Sequence, residues 1–304
     1  MNIIEMQRLA KMREDNMAAM VIQNFRENDQ FFNVAQFIEV GGSFNYGWNE
    51  EKTLPTASNR SINSNYTASN GETKPMSEAL KVVGGVISVD RLAVQQLGSD
   101  VVMAKQEAQI KAIRLKILND FFNGASTSDP LQFDGLKSFI PTTTAGRVER
   151  GYHVANGGGA LSRVKLDELL GNTDVDGSTV IFADKMVPLY MRQYLDTLIT
   201  FDKNEFGVPV PRYGDIPIIT VDRNNLNSKI LGFTEASSTS SLFVANMAVD
   251  KVAMLSGAGG LLSSPTVMSG SQDAYQMDWL LAVALQGKYN AGRLSGFTAA
   301  SMVA

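Results

Sequence analysis

The residue types that most often carry enzyme chemistry are scarce in this chain. It contains one histidine, His153, and no cysteine. A disulfide or a thiolate metal site is therefore excluded, and a Ser-His-Asp triad would have to use His153 itself. His153 stands beside Tyr152 in a polar stretch, which favours a solvated or locally hydrogen-bonded histidine over a catalytic one.

Paired carboxylates could act as general acid and general base, but the pairs in this sequence are adjacent residues. Glu50/Glu51 and Asp167/Glu168 are direct neighbours, so their side chains point apart on a helix or a strand. An acid/base couple needs both groups within reach of one substrate. These pairs therefore do not nominate a catalytic site.

Two glycine-containing patterns resemble ligand loops without completing them. Asn172–Gly177 is similar to the start of a calcium loop, but the acidic residue required six places after the glycine is Ala183. The glycines at 157–159 and the segment 256–260 lack the Gly-Lys-Ser/Thr ending of a phosphate loop. All three segments are interpreted as turns, and no catalytic residue, cofactor or metal is predicted.

Composition limits the class of protein. The chain has 304 residues, and 44% of them are hydrophobic, enough for a substantial core. The formal net charge of -4 argues against a sequence-specific nucleic-acid binder, which usually carries a basic face. Charged residues amount to 19%, below the roughly 25% typical of soluble domains, which suits a surface covered by copies of itself. No apolar run reaches the length of a membrane-spanning helix.

The elements that would position any functional residue begin with a long polar segment, Gly41–Pro75. Loops of this length without their own structure are unusual inside a compact domain. This one also holds too many apolar side chains for a solvated linker. An extended hairpin arm lying across a neighbouring subunit satisfies both observations. The inter-subunit contacts predicted for it are Phe44, Tyr46, Trp48, Leu54, Ile62 and Tyr66, with Trp48 and Tyr66 as the anchors.

The longest predicted helix is Ser99–Asn123, with Ser99 as its N-cap and Gly124 as its stop. Its main apolar stripe is predicted as Val101, Ala104, Ala108, Ala112, Leu115, Leu118 and Phe122, widened by Ile110, Ile113, Ile117 and Phe121. Residues 1–26 form an amphipathic pattern that fits two interpretations equally well. One is a helix packed on its own domain, and the other is an arm that contacts a partner.

The remaining elements are predicted from hydrophobic pattern and turn residues. Further helices are predicted at Leu161–Leu170, with Ser162 as a cap, and at Lys185–Leu198. Residues 142–160 are expected to form a flexible boundary between two subdomains. Strands are predicted at Phe31–Val40, Val82–Asp90 with a glycine kink, Thr179–Ala183, Ile216–Val221, Lys229–Thr234 and Tyr275–Asn290.

This order of parts resembles the major capsid proteins of tailed bacteriophages, which have the Hong Kong 97-type fold. The resemblance rests on the polar arm, the long helix and the phrases Phe133–Leu136, Val180–Asp184 and Gly214–Ile219. It implies an α+β fold with an N-terminal arm, an extended loop, a peripheral domain with a spine helix, and an axial domain. The implied divisions are 1–30 as N-terminal arm, 31–90 as extended loop region with its arm at 41–75, 91–140 as peripheral domain with the spine helix at 99–123, 141–240 as mainly axial domain, and 241–304 as the return to the peripheral domain.

The resemblance implies a structural protein, not an enzyme, that self-assembles as pentamers and hexamers into an icosahedral head. Such a shell encloses double-stranded DNA without reading its sequence, has no membrane, and is made in the bacterial cytoplasm. A separate scaffold, a portal and decoration proteins are the implied partners. Some members join a loop lysine to an asparagine. Lys52 and Lys74 lie in the loop here but match no catalytic pattern, so no cross-link is predicted.

Three alternatives stay open at this point. An encapsulin-type compartment would use the same fold to store a cargo enzyme. An enzyme could use residues 41–75 as a mobile lid, although the chain offers one histidine, no cysteine and no nucleophile motif. A tail tube protein would also use an interface arm, but the long helix counts against it.

Overall fold

The computed structural model describes residues 2–12, 22–25, 29–98, 100–143, 146–148, 150–194, 196–203 and 209–304. The α-helices are Ile3–Met12, residues 22–25, Gln30–Val34, Arg91–Leu97, Asp100–Asn123, Leu136–Phe139, Arg163–Gly171 and Val187–Tyr194. Short 3-10 turns lie at Asp196–Leu198 and Ala236–Ser238. The strands are β1 (Phe37–Val40), β2 (Asn45–Thr53), β3 (Glu72–Ala79), β4 (Lys81–Asp90), β5 (Gly146–Val148), β6 (Gly151–Ala155), β7 (Ala160–Ser162), β8 (Thr179–Asp184), β9 (Ile199–Lys203), β10 (Pro209–Tyr213), β11 (Ile216–Val221), β12 (Ser240–Asn246), β13 (Val252–Ser269), β14 (Gln272–Leu285) and β15 (Ala291–Val303).

The described strands form three sheets. A four-stranded sheet has the order β1-β13-β14-β4. A nine-stranded sheet runs β5-β6-β15-β12-β8-β11-β10-β9, with β7 added alongside β15. The third sheet is the isolated antiparallel pair β2-β3. The chain is therefore an α+β protein in which one two-stranded hairpin stands apart from both larger sheets.

The spine helix, Asp100–Asn123, packs on the four-stranded sheet. Its buried apolar face is Ile110, Ile113, Ile117, Leu118, Phe121 and Phe122. The predicted main stripe was therefore wrong in its first half, where Ala104 and Ala108 are exposed. Larger side chains bury more apolar area, so the isoleucine row and not the alanine row faces the core. Gly124 follows the helix as predicted, and Ser99 lies outside the described residues.

Two glycines in β4 let the spine helix and the neighbouring strand approach closely. A Cβ at Gly85 would lie 1.9 Å from Gln109 Nε2 on the spine helix, and one at Gly84 would lie 2.3 Å from Asp278 Oδ1. Pairing of β4 with β14 continues without a break from Lys81 to Asp90. The predicted kink was therefore wrong, and the glycines supply space instead.

The nine-stranded sheet separates two apolar cores. Strand β8 is buried at every residue, as its continuous apolar run predicts. Phe182 points toward the core beneath the spine helix, whereas Ile181 points into the second core with Leu166 and Met191. Rings of Phe31, Phe121, Phe122, Phe182 and Phe243 join the spine helix to this sheet, with neighbouring centroids 4.6–6.4 Å apart.

The described parts of residues 1–26 pack on the protein's own body. Ile3, Met6, Ile22 and Phe25 are buried in the core beneath the spine helix. The ring of Phe25 lies 6.2 Å from that of Trp279. Of the two interpretations of this segment, the structure supports packing on its own chain. Residues 1, 13–21 and 26 of the predicted segment lie outside the described residues.

Several predicted elements differ in the structure. Residues 30–34 are a helix, because Asp29 caps it by accepting a hydrogen bond from Phe31 N at 3.0 Å. Lys229–Thr234 is not a strand, because the chain turns at Gly232. Ile230 and Leu231 of this segment are nevertheless buried, which accounts for its apolar pattern. Residues 142–160 contain β5 and β6, so part of the expected flexible boundary belongs to the large sheet. Val187–Tyr194 is shorter than the helix predicted there.

The three predicted turns had different outcomes. Residues 172–178 turn before β8, and the loop at 157–159 places Gly157 and Gly158 at positive φ. Segment 256–260 is not a turn between elements. It lies inside β13, where the pairing with β14 shifts between Ser256 and Leu261 as a bulge. A bulge needs the same glycine freedom as a turn, so composition alone does not separate the two.

Candidate assembly site

The hairpin β2-β3 is the element that projects from the body. Its two strands pair antiparallel from Asn45 opposite Ala79 to Thr53 opposite Glu72. The nine residues of β2 and the eight of β3 make the two sides about 30 Å and about 27 Å long. The ion pair between Lys52 Nζ and Glu72 Oε2 at 2.6 Å closes the far end of the paired region. The predicted long hairpin is therefore present, with its strands at 45–53 and 72–79.

Beyond the paired strands, residues 54–71 form an exposed tip that is held together internally. Thr56 N donates to Ser69 Oγ at 2.7 Å, and Ser64 Oγ donates to Ser61 O at 2.8 Å. The Arg60 guanidinium lies 5.3 Å from the Tyr66 ring centroid. Every hydrogen bond described for the tip stays within the hairpin. The tip is thus shaped before it meets any partner.

The base of the hairpin is fixed to the body. Trp48 Nε1 donates to Glu50 Oε1 at 3.0 Å, and the same oxygen accepts Gly287 N at 3.2 Å. Glu78 forms an ion pair with Arg150. The Arg150 guanidinium also lies 5.7 Å from the Trp48 ring and 4.9 Å from the ring of Phe139. These contacts set the direction in which the hairpin leaves the body.

Burial shifts the ionisation of Glu78 at this base. Loss of solvent raises the pKa of the Glu78 carboxyl, and the hydrogen bond and charge of Arg150 oppose the rise. The ion pair with Arg150 holds the hairpin to the body, because separating Glu78 from Arg150 would leave a charge at the base without a partner.

The six predicted contact residues differ in exposure. The side chains of Phe44, Leu54, Ile62 and Tyr66 are 62–91% exposed. Tyr46 and Trp48 are half-buried against the core beneath the spine helix, with their rings 5.8 Å apart. The structure therefore leaves four of the six open to a partner. Whether any of them contacts one stays a prediction.

His153 and the pair Glu50/Glu51 were considered for catalysis, and their surroundings are those of residues that support the fold. His153 was predicted in a polar loop, but it is buried in β6, where a ring nitrogen lies 2.7 Å from Ser295 Oγ. The parallel pairing of β6 with β15, about 140 residues away in sequence, creates this environment. Glu50 is buried whereas Glu51 is exposed, so that pair points apart as predicted.

The second acidic pair and the calcium-like segment also have local partners. Asp167 accepts the Tyr213 hydroxyl at 2.5 Å, and Glu168 binds Lys165 at 2.7 Å. Asp176 pairs with Lys251 at 2.6 Å. Hydrogen bonds from Asn246, Lys251 and Ser178 lower the pKa of Asp176 to about 2. Within the described residues, no group of three or more His, Cys, Asp or Glu side chains is placed to hold a metal ion.

Sequence reasoning missed a buried charge cluster between the large sheet and the segment after the spine helix. Glu235 pairs with Lys137 at 2.7 Å and with Arg293 at 3.2 Å, and Ser241 Oγ donates to it at 2.6 Å. Arg293 also donates to Ile140 O at 3.1 Å. Burial alone would raise the pKa of Glu235, but Lys137, Ser241 and Arg293 together lower it. The available signal was a lone arginine inside the apolar segment 291–297.

No helix in the described part of the chain is both long and apolar enough to cross a bilayer. Neither a family model nor a curated protein matches this sequence.

Solved structures with the same fold do exist, at low sequence identity. The holo-SrpI encapsulin complex from Synechococcus elongatus PCC 7942 superposes with a TM-score of 0.61 at 11% identity, over 89% of this chain and 88% of that one. The capsid of Cyanophage A-1(L) gives 0.57 at 12%, over 87% and 91%. A structure from Mycobacterium phage Adephagia gives 0.57 at 13%, over 89% of both chains. Superposition on phage capsid and encapsulin structures over nearly nine-tenths of each chain shows that this protein has the Hong Kong 97-type capsid fold.

Proposed function

We propose that this protein is a major capsid protein that self-assembles into the icosahedral head shell of a tailed phage. The observation that carries the proposal is the hairpin tip. It exposes Leu54, Ile62 and Tyr66 and makes its described hydrogen bonds only within the hairpin. A cluster of exposed large apolar side chains marks a protein interface. On a fold shared with shell proteins, the partner that fits is another copy of the same chain.

The domain divisions implied by the resemblance are part of this proposal. Residues 1–30 and 31–90 would supply the arm and the hairpin, residues 91–140 and 241–304 the peripheral domain, and residues 141–240 most of the axial domain. The protein has two apolar cores, one beneath the spine helix and the other against Arg163–Gly171 and Val187–Tyr194. Each core draws on more than one of these ranges, since Phe182 lies in the first core and Leu294 in the second.

The physical mechanism is the repetition of one modest contact. A hairpin that lies across a neighbour buries area without enlarging the core of either subunit. Closed symmetry then repeats that contact around pentamers and hexamers. Many weak contacts made at once give a strong shell. The net charge of -4 fits a wall that encloses double-stranded DNA without binding it through phosphate contacts.

A capsid subunit of this kind has a defined location and defined partners. The protein would be made in the bacterial cytoplasm and end in the virion. A scaffold, a portal and decoration proteins would be its other partners. Its role would be structural, since Glu50, Asp167 and Glu168, three of the acidic residues considered for catalysis, are engaged in local ion pairs and hydrogen bonds. The alternative of an enzyme with a lid at 41–75 is not favoured, because the base of that segment is tied to the body through Glu50 and Arg150.

A second candidate is an encapsulin-type compartment, favoured by the likeness to an encapsulin shell over nearly nine-tenths of both chains. The two functions differ in what the shell contains and in its size. A phage head encloses DNA, whereas a compartment of this type encloses a cargo protein.

The test is negative-stain electron microscopy of the recombinant protein after size-exclusion chromatography, alone and with a candidate scaffold. Closed particles or rings of capsomer size are expected, and the particle diameter separates a head from a small compartment. A monomer or small oligomer under both conditions would contradict the shell function and favour the enzyme.

A further inference from the structure

Asparagine followed by glycine is a chemically reactive pair, and this chain contains three such pairs, beginning at Asn70, Asn123 and Asn156. The backbone nitrogen of the glycine can attack the side-chain amide carbon of the asparagine. Glycine favours this attack because it has no Cβ to crowd the cyclic imide and leaves the backbone free to turn. The asparagine amide and the glycine N–H must also be free of other bonds. The fold therefore decides which pair can react.

The pair Asn123-Gly124 is held at the end of the spine helix. Asn123 Nδ2 donates to Asn119 Oδ1 at 3.2 Å and to Ile230 O at 3.1 Å. Gly124 N donates to Asp120 O at 2.9 Å. Attack by the glycine nitrogen would break this last bond and turn the asparagine amide away from both of its acceptors. The pair must therefore open locally before it can react.

The pair Asn156-Gly157 is held through its side chain. Asn156 Nδ2 donates to Gly159 O at 3.1 Å and to Ala160 O at 2.8 Å. Asn156 Oδ1 accepts a hydrogen bond from Ser162 N at 2.9 Å. The amide closes the loop that leads into β7, so its carbon cannot turn toward Gly157 N without the loss of these bonds. This pair is also protected unless the loop opens.

The remaining pair, Asn70-Gly71, is exposed at the hairpin tip. Hydrogen bonds hold the neighbouring residues Ser69 and Glu72 to the opposite side of the hairpin. Among the hydrogen bonds of the described residues, none involves the Asn70 side chain or Gly71 N. Both reacting groups are therefore free, and solvent reaches them.

We propose that Asn70 is a site of spontaneous deamidation. Gly71 N gives up its proton to solvent base and forms a bond to Asn70 Cγ, and the side-chain nitrogen leaves as ammonia. Water then opens the cyclic imide at either carbonyl, which produces aspartate or isoaspartate. The reaction needs no oxidant and no second protein. It goes beyond the proposed shell function, because it requires only the folded subunit.

The modification changes the charge and the backbone of the hairpin tip. Arg60 is the only charged residue between Leu54 and Gly71, so a carboxylate at position 70 reduces the net charge of this segment from one positive charge to zero. Isoaspartate also routes the backbone through the former side chain and lengthens the chain before Glu72. An aged subunit would therefore present a different tip from a newly made one.

The test is peptide mapping of the free subunit, isolated by size-exclusion chromatography and incubated at mildly alkaline pH. Trypsin places the pairs on separate peptides, residues 61–74, 117–137 and 151–163, and fragmentation mass spectra locate each deamidated position. Asn70 is expected to react at least about tenfold faster than Asn123 and Asn156, because those pairs must first open against a free-energy cost.

The chain supplies matched controls for this measurement. Asn63 and Asn65 are exposed on the same tip and the same peptide but are followed by serine and tyrosine. They should stay unmodified while Asn70 reacts, and equal deamidation at all of these positions would contradict the role assigned to Gly71. Asn70→Ser removes the reacting amide, so peptide 61–74 of that variant should show no mass gain.

A second incubation in denaturing urea separates the effect of the fold from that of the sequence. Without hydrogen bonds, the three pairs should react at similar rates. Two results would overturn the proposal. In one, Asn70 of the folded subunit reacts no faster than Asn123 and Asn156. In the other, Asn70 leads by the same factor in urea, so the fold does not select it. Neither result bears on shell assembly, which electron microscopy tests separately.

Discussion

The base and the tip of the hairpin use aromatic side chains in opposite ways. At the base, Trp48 packs half-buried on the protein's own core and lies beside Arg150. At the tip, Tyr66 is 62% exposed and lies beside Arg60 of its own hairpin. Both residues were predicted as anchors for a neighbouring subunit. The structure assigns the first to positioning the hairpin and leaves the second available for a partner.

This difference shows that one polar segment can be held firmly at its base and still leave apolar side chains uncovered at its tip. The ion pair of Glu78 with Arg150 and the hydrogen bonds of Glu50 hold the base. Bonds among serines and threonines shape the tip without covering its apolar side chains. A preorganised and uncovered surface loses less entropy on association than a disordered one. Substitutions in the body should therefore change folding, whereas those at the tip should change assembly.

The largest effect is expected from truncation in the core of the body. Phe121 is fully buried, with the rings of Phe31 and Phe122 at 4.6 and 5.0 Å. Phe121→Ala should lower the free energy of unfolding by about 3–5 kcal/mol, because it removes apolar contacts and leaves a cavity. Urea denaturation of the unassembled subunit measures this change.

The control for that variant is Leu131→Ala. Leu131 is 79% exposed on a turn, so its truncation should change the free energy of unfolding by no more than about 0.5 kcal/mol. If Phe121→Ala and Leu131→Ala lower the free energy of unfolding equally, buried and exposed apolar side chains do not differ in their contribution to stability.

A smaller effect is expected at the buried charge cluster. Glu235→Gln leaves Lys137 and Arg293 without their carboxylate, and the free energy of unfolding should fall by about 1.5–3 kcal/mol at neutral pH. Lys137, Ser241 and Arg293 lower the pKa of Glu235 in the folded protein. Its stabilisation is therefore fully present above the unfolded pKa of 4.5 and is lost as the pH falls through the folded value. Denaturation curves between pH 3 and pH 7 measure this dependence, which Glu235→Gln should weaken.

Glu78 provides a control of opposite sign for the pH dependence. Burial raises the pKa of Glu78, so its contribution to stability declines as the pH rises from 4.5 through the folded value. Glu78→Gln should therefore make stability rise more steeply with pH, whereas Glu235→Gln makes it rise less. The same change of slope in both variants would contradict the environments described for the two carboxyls.

The sequence predicted the parts of the molecule that local pattern determines. The spine helix follows from apolar spacing, β8 from a continuous apolar run, and the hairpin from a polar segment that carries too many aromatic residues. Asp29 was the local signal for the helix at 30–34, but the apolar pair Phe31 and Phe32 favoured a strand instead.

The remaining differences depend on contacts between distant segments. His153 is buried because β6 pairs with β15, and no short window of sequence contains both strands. Glu235 and Lys137 are 98 positions apart in the printed sequence, so their pairing is not visible in it. The candidate site divides in the same way. Its exposed side chains could be listed from sequence, but the assignment of Trp48 to the base required Arg150 and the core.

The smallest effect on the isolated subunit, and the sharpest test of the comparison, is expected at Tyr66. Tyr66→Ala should change the free energy of unfolding of the subunit by no more than about 0.5 kcal/mol, because the ring is exposed. Trp48→Ala should lower it by about 2 kcal/mol, because that ring packs on the core. In assembled particles both variants should lower the melting temperature, Tyr66→Ala by loss of an interface contact and Trp48→Ala by misplacing the hairpin. Tyr66→Phe keeps the ring and should retain most particle stability. Particles of Tyr66→Ala that melt like wild type would show that Tyr66 is not an anchor of the assembled shell.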